Sequence, residues 1–320
     1  MERIFNNEIG VTSVSRDVSE IMKGFLILLI ILGHNTIISP MFPDVDFYLR
    51  SFRTPIFFIL PWLYAMKPPT CQKVIKRSGK IVFWYFIFFI VQVVFYNALF
   101  DTTFSLGETI KAFFLGGHNL LKGVTGYMYL WFMPAFLVSM FVRDLYSVAS
   151  KNFRYIMIIA SWGIVAFFAF HRYTDFIAIV QGAFFAALGI IASQFSLPKT
   201  DRYKILMILL FIVCSVLMFV PSIKVVIRVF MPFIAFWAIW SVVENFERYL
   251  KWLLPIGKLS MFIYLTHSLI FQFLLRVVPN SYSELTYGVI ILILTIIISF
   301  IVAWCMQKII KSIPILKDYL

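Results

Sequence analysis

The stretch near the end of the chain, residues 285–307, reads LTYGVIILILTIIISFIVAWCMQ and contains no charged side chain. At 1.5 Å per residue, a helix of this length measures about 34 Å, enough to cross the roughly 30 Å hydrocarbon core of a bilayer. The stretch therefore predicts a transmembrane helix.

The rest of the chain has a similar composition. Of its 320 residues, 62% are hydrophobic and only 13% are charged, whereas soluble domains carry about 25% charged residues. Further apolar segments can be read at residues 18–38, 47–65, 80–100, 128–146, 155–171, 175–194, 204–221, 227–246 and 257–277. Together these predict an all-α polytopic membrane protein of about ten transmembrane helices, forming a single domain over residues 1–320.

The distribution of basic residues predicts the orientation. The net charge is +13, and 20 of the 28 Lys and Arg fall on one side of the predicted membrane. Cytoplasmic loops collect Lys and Arg, so we expect this side and both termini to face the cytoplasm. The same rule explains the positive charge without nucleic acid binding.

Two histidines fall inside predicted helices, where an ionisable group is costly and is a functional candidate. His34 lies eleven residues after Lys23, and His267 lies nine after Lys258, which gives rises of about 16 and 14 Å and a similar depth. Tyr264 shares a helix face with His267. Each histidine could simply join two helices by a hydrogen bond, or it could accept and return a proton.

Several cationic and aromatic residues allow two interpretations. The predicted loop from Lys67 to Lys80 has five basic residues and no acidic one, which fits either the charge bias of cytoplasmic loops or an anion site. Arg53 could extend to the interface or contact substrate, and Trp131 could be an interfacial anchor. The sequence has no His-rich or carboxylate cluster, so we expect no metal.

Several short patterns resemble the acyltransferase-3 family of bacterial membrane acyltransferases. The matching patterns are Lys23 with ten residues before His34, Pro55-Ile56-Phe57-Phe58, Tyr129 to Pro134, Ile256 to Ser260 with Tyr264 and His267, and Arg77 to Lys80. The chain departs from the family pattern at Leu60-Pro61, at Leu259, and at Arg53, where the family often has His. These departures bear on the identity of the acceptor more than on the reaction class.

The resemblance implies transfer of an acyl group, expected to be acetyl, from cytoplasmic acetyl-CoA to a hydroxyl of an envelope polysaccharide or a lipid-linked glycan precursor. The bacterial plasma membrane is the expected location. His34 is expected to be the general base, or alternatively the carrier of a covalent acyl group, with Tyr264 and His267 in support. The donor phosphates are expected to bind Lys23, Arg77, Lys80 and Lys258. The substrate is expected to contact Arg53 and Trp131.

Two other functions remain open from the sequence. A ten-helix transporter is possible, although no internal repeat and no carboxylate deep in a span were found. A membrane scaffold without catalytic activity is the third possibility, and in that case His34 and His267 would be packing residues.

Overall fold

The computed structural model describes residues 15–64, 68–100, 105–126, 129–195 and 200–314. These residues are almost entirely helical and include no β-strand, which confirms the all-α prediction. In chain order the helices are α1 (Arg16–His34), α2 (Ile38–Met41), α3 (Pro43–Arg50), α4 (Arg53–Ile59), α5 (Cys71–Phe100), α6 (Leu106–Leu115), α7 (His118–Thr125), α8 (Phe132–Val148), α9 (Lys151–Phe170), α10 (Ala178–Ala192), α11 (Asp201–Leu217), α12 (Lys224–Asn245), α13 (Glu247–Leu250), α14 (Leu254–Lys258), α15 (Ser260–Val277) and α16 (Glu284–Ser312).

The chain divides into two compact units. The split unit combines Val14–Phe57 with Leu197–Leu320, and the middle unit, named for its place in the sequence, contains Phe58–Ser196. The division falls within α4.

Within the described residues, five helices are long and apolar enough to cross a membrane: α5, α9, α12, α15 and α16. The shorter α10 is also apolar. The prediction of transmembrane helices is confirmed to this extent, while the count of ten and the orientation of the termini stay predictions.

Helix α16 shows how these helices distribute their side chains. Large apolar residues four positions apart are 49–51% exposed, namely Ile293, Ile297 and Ile301. The opposite face buries the small or polar residues Thr295 and Ser299. Small inward residues allow close helix packing, and an outward apolar face suits lipid. The pattern is the reverse of a soluble helix.

The split unit is organised around α1. Ser15 caps the start of this helix by accepting a hydrogen bond from the backbone N–H of Val18, and Asp17 lies favourably in the first turn. Helix α1 packs against α12, α14, α15 and α16. Its residues Val18, Ile21, Leu26 and others along the helix are fully buried, so α1 is the core helix of this unit.

The boundaries of two predicted segments are corrected. The predicted segment 47–65 contains the end of α3, all of α4 and a 3₁₀ helix at Leu60–Leu63 that includes Pro61. Proline lacks the N–H that an α-helix needs, which explains the change of helix type. The predicted segment 257–277 is interrupted at Leu259, between α14 and α15. Lys258 and His267 therefore lie on different helices.

The middle unit contains α5 to α10, in which α10 packs against both α8 and α9. The predicted loop before residue 80 is wrong in part, because α5 already begins at Cys71. Lys and Arg are good helix formers and no proline interrupts residues 71–80. Lys67 lies outside the described residues. Residues 101–127, which separate the predicted apolar segments 80–100 and 128–146, contain α6 and α7. These helices are capped by Gly116 and Gly126, both in the left-handed conformation.

Candidate functional site

The structure brings His34 and His267 into direct contact within the split unit. His34 is the last residue of α1 and is partly exposed, whereas His267 lies on α15 and is 1% exposed. Nδ1 of His34 lies 2.8 Å from Nε2 of His267, and the two rings are nearly parallel, at 14°. This contact agrees with the similar depth predicted for the two histidines, although the break at Leu259 means that Lys258 and His267 do not lie on one helix.

The hydrogen bonds of His267 determine which nitrogens carry protons. Its Nδ1 lies 2.7 Å from the carbonyl oxygen of Tyr264 and 3.2 Å from that of Ile263. A carbonyl only accepts, so this Nδ1 must carry the hydrogen, and Nε2 of a neutral His267 is then an acceptor. Nδ1 of His34 consequently donates to His267. The lone pair of a neutral His34 therefore lies on Nε2.

This chain of hydrogen bonds gives the two rings different chemical roles. The tautomer and orientation of His34 are fixed by His267, which is itself held by the backbone of α15. A histidine oriented in this way can take a proton at Nε2 while the charged ring keeps its Nδ1 hydrogen bond. The ring of Tyr264 packs beside His267, with centroids 5.7 Å apart, and its backbone carbonyl is the nearest acceptor for His267.

A buried ion pair lies beside the end of α1. Arg53 on α4 is 3% exposed, and its Nη2 lies 3.1 Å from Oδ1 of Asp46 on α3, which is 8% exposed. Asp46 also pairs with the exposed Arg50. The guanidinium of Arg53 occupies the space where a side chain at Gly33 would lie. A cation is therefore fixed against the residue that precedes His34.

The other end of α1 carries Lys23, eleven residues from His34 on the same continuous helix. Nζ of Lys23 lies 2.9 Å from Oε1 of Glu20. The neighbouring Gly24 contacts the backbone of Leu253, and Gly257 contacts the backbone of Glu20, each in a space that a Cβ would fill. Lys258 follows Gly257 and is exposed. These contacts bring Lys23 and Lys258 to the same region of the split unit.

In the middle unit, Arg77 on α5 makes a two-pronged ion pair with Asp144 on α8. Its Nη1 lies 3.2 Å from Oδ1, and its Nη2 also contacts Oδ2. The neighbouring Arg143 donates to the backbone oxygen of Tyr64 at 3.5 Å. Lys80 lies one turn after Arg77 and is partly exposed. Basic residues of the predicted anion site thus lie on a helix face, and Arg77 already holds a carboxylate.

Trp131 is 5% exposed and belongs to an aromatic cluster of the middle unit. Its ring lies 5.7 Å from Phe185, 5.7 Å from Tyr173 and 5.1 Å from His118, measured between centroids. Phe58 stacks on Phe185 at 3.9 Å. Aromatic packing accounts for the burial of Trp131, and its assignment to substrate stays a prediction.

Three residues with clear structural roles were not identified from the sequence. Asp46 and Asp144 hold the two arginines, and Asn35 is a fully buried residue directly after His34. The sequence offered no distinct signal for Asp46, because Asp44 and Arg50 are also charged and lie close to it. Among the described residues, no group of three His, Cys, Asp or Glu could hold a metal ion.

Comparison with known proteins agrees with the family resemblance found in the sequence. A family model described as an acyltransferase domain, Acyl_transf_3, matches residues 18–304. This range includes His34 and His267 and covers most of the chain. Searches of curated proteins and of solved structures found no match. On the family match, this chain is a membrane protein that belongs to the acyltransferase-3 family.

Proposed function

We propose that the protein is an O-acetyltransferase of the bacterial plasma membrane. It moves an acetyl group from acetyl-CoA, on the cytoplasmic side, to a hydroxyl of an envelope polysaccharide or a lipid-linked glycan precursor. The family match supports the reaction class. The observation that carries the mechanism is the hydrogen bond of 2.8 Å between His34 and His267. The proposal includes ten membrane spans, both termini in the cytoplasm, and one functional domain over residues 1–320.

His34 acts as the general base in the proposed reaction. Its Nε2 takes the proton of the acceptor hydroxyl while the oxygen attacks the carbonyl carbon of the thioester. The tetrahedral intermediate then collapses and the carbon–sulfur bond breaks. The leaving thiolate takes the proton back from His34, so that an ester and free coenzyme A are formed. His267 keeps the charged His34 ring oriented throughout.

The transition state also needs groups that stabilise developing negative charge. Arg53 is a fixed cation next to Gly33, and we assign it to the acceptor or to the oxyanion. Tyr264 supports His267 through its backbone carbonyl, 2.7 Å from Nδ1. The phenol of Tyr264 is a second candidate for the oxyanion, because its ring packs beside the His267 ring.

Donor binding is assigned to cationic residues. In the split unit, Lys23 and Lys258 suit the phosphates of coenzyme A, since charge-assisted hydrogen bonds to phosphate are strong. Lys258 is exposed and open to a ligand, whereas Lys23 would exchange its contact with Glu20 for a phosphate. In the middle unit, Arg77 and Lys80 stay proposed phosphate contacts, and Trp131 stays a proposed substrate contact.

The experiment that tests this function replaces His34 by Gln in the full-length protein. His34→Gln keeps a polar group but cannot accept the proton, so acetyl transfer should fall at least about 10²-fold. Thioester consumption by purified protein in detergent, with a glycan acceptor, measures the rate. His267→Gln should cost less, because it removes the orienting partner and leaves the base in place.

His171→Gln is the matched control. His171 is exposed, its Nδ1 contacts the backbone oxygen of Phe167, and its ring stacks on the ring of Phe167. This variant should retain normal turnover. Near-normal activity of His34→Gln would contradict the mechanism, whereas wild-type protein that consumes no thioester would favour the transporter or the scaffold. Mass analysis after adding acetyl-CoA without acceptor separates the two chemical routes, since an acetylated His34 peptide would indicate a covalent relay.

A further inference from the structure

The hydrogen bonds within α1 do not fix the position of its last turn. His34 is the last residue of this helix, and the last four carbonyl groups of any helix lack partners within it. Terminal turns therefore fray unless something outside the helix holds them. A general base needs a position defined to well under 1 Å, so the contacts just after His34 matter for the reaction.

Asn35 supplies those contacts through its side chain. It is 0% exposed. Its Oδ1 accepts hydrogen bonds from the backbone N–H groups of Ile37 and Ile38, both at 3.0 Å. Its Nδ2 donates to the carbonyl oxygen of Gly288 at 2.9 Å. One buried amide thus connects the end of α1, the start of α2 and the first turns of α16.

Gly288 is the residue on α16 that permits this connection. A Cβ added there would lie 2.8 Å from Cγ1 of Ile38 and 3.0 Å from Cγ2 of Ile37. Those distances are too short for ordinary packing, so α2 rests directly on the backbone of α16. The carbonyl that accepts from Asn35 is therefore within reach only because residue 288 has no side chain.

Helix α16 is also the support for α15, which carries His267. Phe271 and Leu274 of α15 form a buried cluster with Tyr287 and Ile291 of α16. The amide of Asn35 holds α1 to the same turns of α16, at Gly288. The positions of both histidines therefore depend on one short stretch of α16, residues 287–291.

We propose that Asn35 is a positioning residue that sets the distance between His34 and His267. This inference rests on the proposed function, in which His34 is the base. Without the amide, the end of α1 loses this hydrogen bond to α16, and the partly buried N–H groups of Ile37 and Ile38 lose their acceptor. Misplacement of a reacting group by about 1 Å can cost roughly 10²-fold in rate.

The test compares steady-state kinetics of full-length variants in detergent. Asn35→Ala should lower kcat about 10- to 100-fold and leave the KM for acetyl-CoA within about twofold, because the transition state is affected more than ground-state binding. Gly288→Ala should lower kcat in the same way, because its methyl group pushes Ile37 and Ile38 off α16. It alters neither histidine and keeps every hydrogen-bonding group, so it carries the test if Asn35→Ala does not fold.

Thr295→Val is the control for general destabilisation of α16. Thr295 is also fully buried, and its hydroxyl bonds only within its own helix, to the oxygen of Ile291 at 2.7 Å. Its kcat should stay near normal at a comparable loss of melting temperature. If Asn35→Ala and Gly288→Ala match Thr295→Val in kcat, or raise KM alone, the positioning role is wrong. If His34→Gln keeps near-normal turnover, the general-base role in the proposed function fails instead.

Discussion

Two buried or partly buried ion pairs, one in each unit, offer the most informative comparison in the molecule. Arg53 pairs with Asp46 in the split unit, and the two side chains are 4% and 9% exposed. Arg77 pairs with Asp144 in the middle unit, and here the side chains are 29% and 11% exposed. Both arginines were predicted from the sequence to bind a ligand, and both are found holding a carboxylate.

The difference in exposure separates the consequences of these two pairs. Water can replace a lost partner at a partly exposed arginine, but it cannot easily reach a side chain that is 4% exposed. Removing one partner of a buried pair leaves an uncompensated charge, whereas exposed pairs contribute little. Arg53 in the split unit should thus be needed for stability, whereas Arg77 in the middle unit should be able to change partners.

The largest effect is expected from breaking the buried pair. Arg53→Gln leaves Asp46 buried with only the exposed Arg50 as a partner, and we expect a loss of about 3–5 kcal/mol in stability. It should also abolish most acetyl transfer, since the guanidinium next to Gly33 disappears. The loss of stability is measured by thermal unfolding in detergent, with the fraction of protein that stays monodisperse as the readout.

The double variant Arg53→Gln with Asp46→Asn is the control for this prediction. It removes both charges, so its loss of stability should be smaller than the sum of the two single losses. Equal activity of the double variant and the wild type would show that Arg53 has no part in the reaction. Additive losses would show that the two side chains do not interact.

An intermediate effect is expected at the partly exposed pair. Arg77→Gln should cost less in stability than Arg53→Gln, between the roughly 1 kcal/mol of an exposed pair and the about 3–5 kcal/mol of a buried one. Water reaches the side chain at position 77, although Asp144 is as buried as Asp46. If Arg77 contacts donor phosphates, the KM for acetyl-CoA should rise and kcat should change little. Asp144→Asn provides the comparison, since it loosens the arginine without removing its charge. An unchanged KM in Arg77→Gln would restrict this pair to a structural role.

The comparison also shows which parts of the site the sequence could predict. Lys23 and His34 lie on one continuous helix, so their spacing alone was informative, and the burial of His267 followed from its apolar surroundings. The sequence predicted a similar depth for His34 and His267, but not their contact, 233 positions apart, because no pattern in it shows that α1 and α15 are neighbours. The helical segments followed from apolar composition in the same way, because a bilayer admits few other structures.

The carboxylate partners could not be predicted in this way. Asp46 and Asp144 lie in polar-looking positions near helix ends, and nothing in a linear pattern shows that α3 turns Asp46 toward Arg53. Asn35 looked like an ordinary residue after a helix, and its role depends on Gly288, more than 250 positions away. The break at Leu259 was not predicted although Gly257, Lys258 and Ser260 flank it, because it lies only two residues after the start of the predicted segment 257–277.

The smallest effect is expected at Arg50, which shares Asp46 with Arg53. Its side chain is 61% exposed, and the pair is an i,i+4 contact on α3. Such pairs contribute about 0.3–0.5 kcal/mol, so Arg50→Gln should unfold at nearly the wild-type temperature and retain its kcat. Arg50→Gln and Arg53→Gln each remove one cation that pairs with Asp46. The difference between their losses of stability therefore shows the effect of burial. A loss at Arg50 as large as the loss at Arg53 would show that Asp46 needs both cations. The pair next to Gly33 would then act as a three-residue cluster, and Arg53 alone could not be assigned to the acceptor.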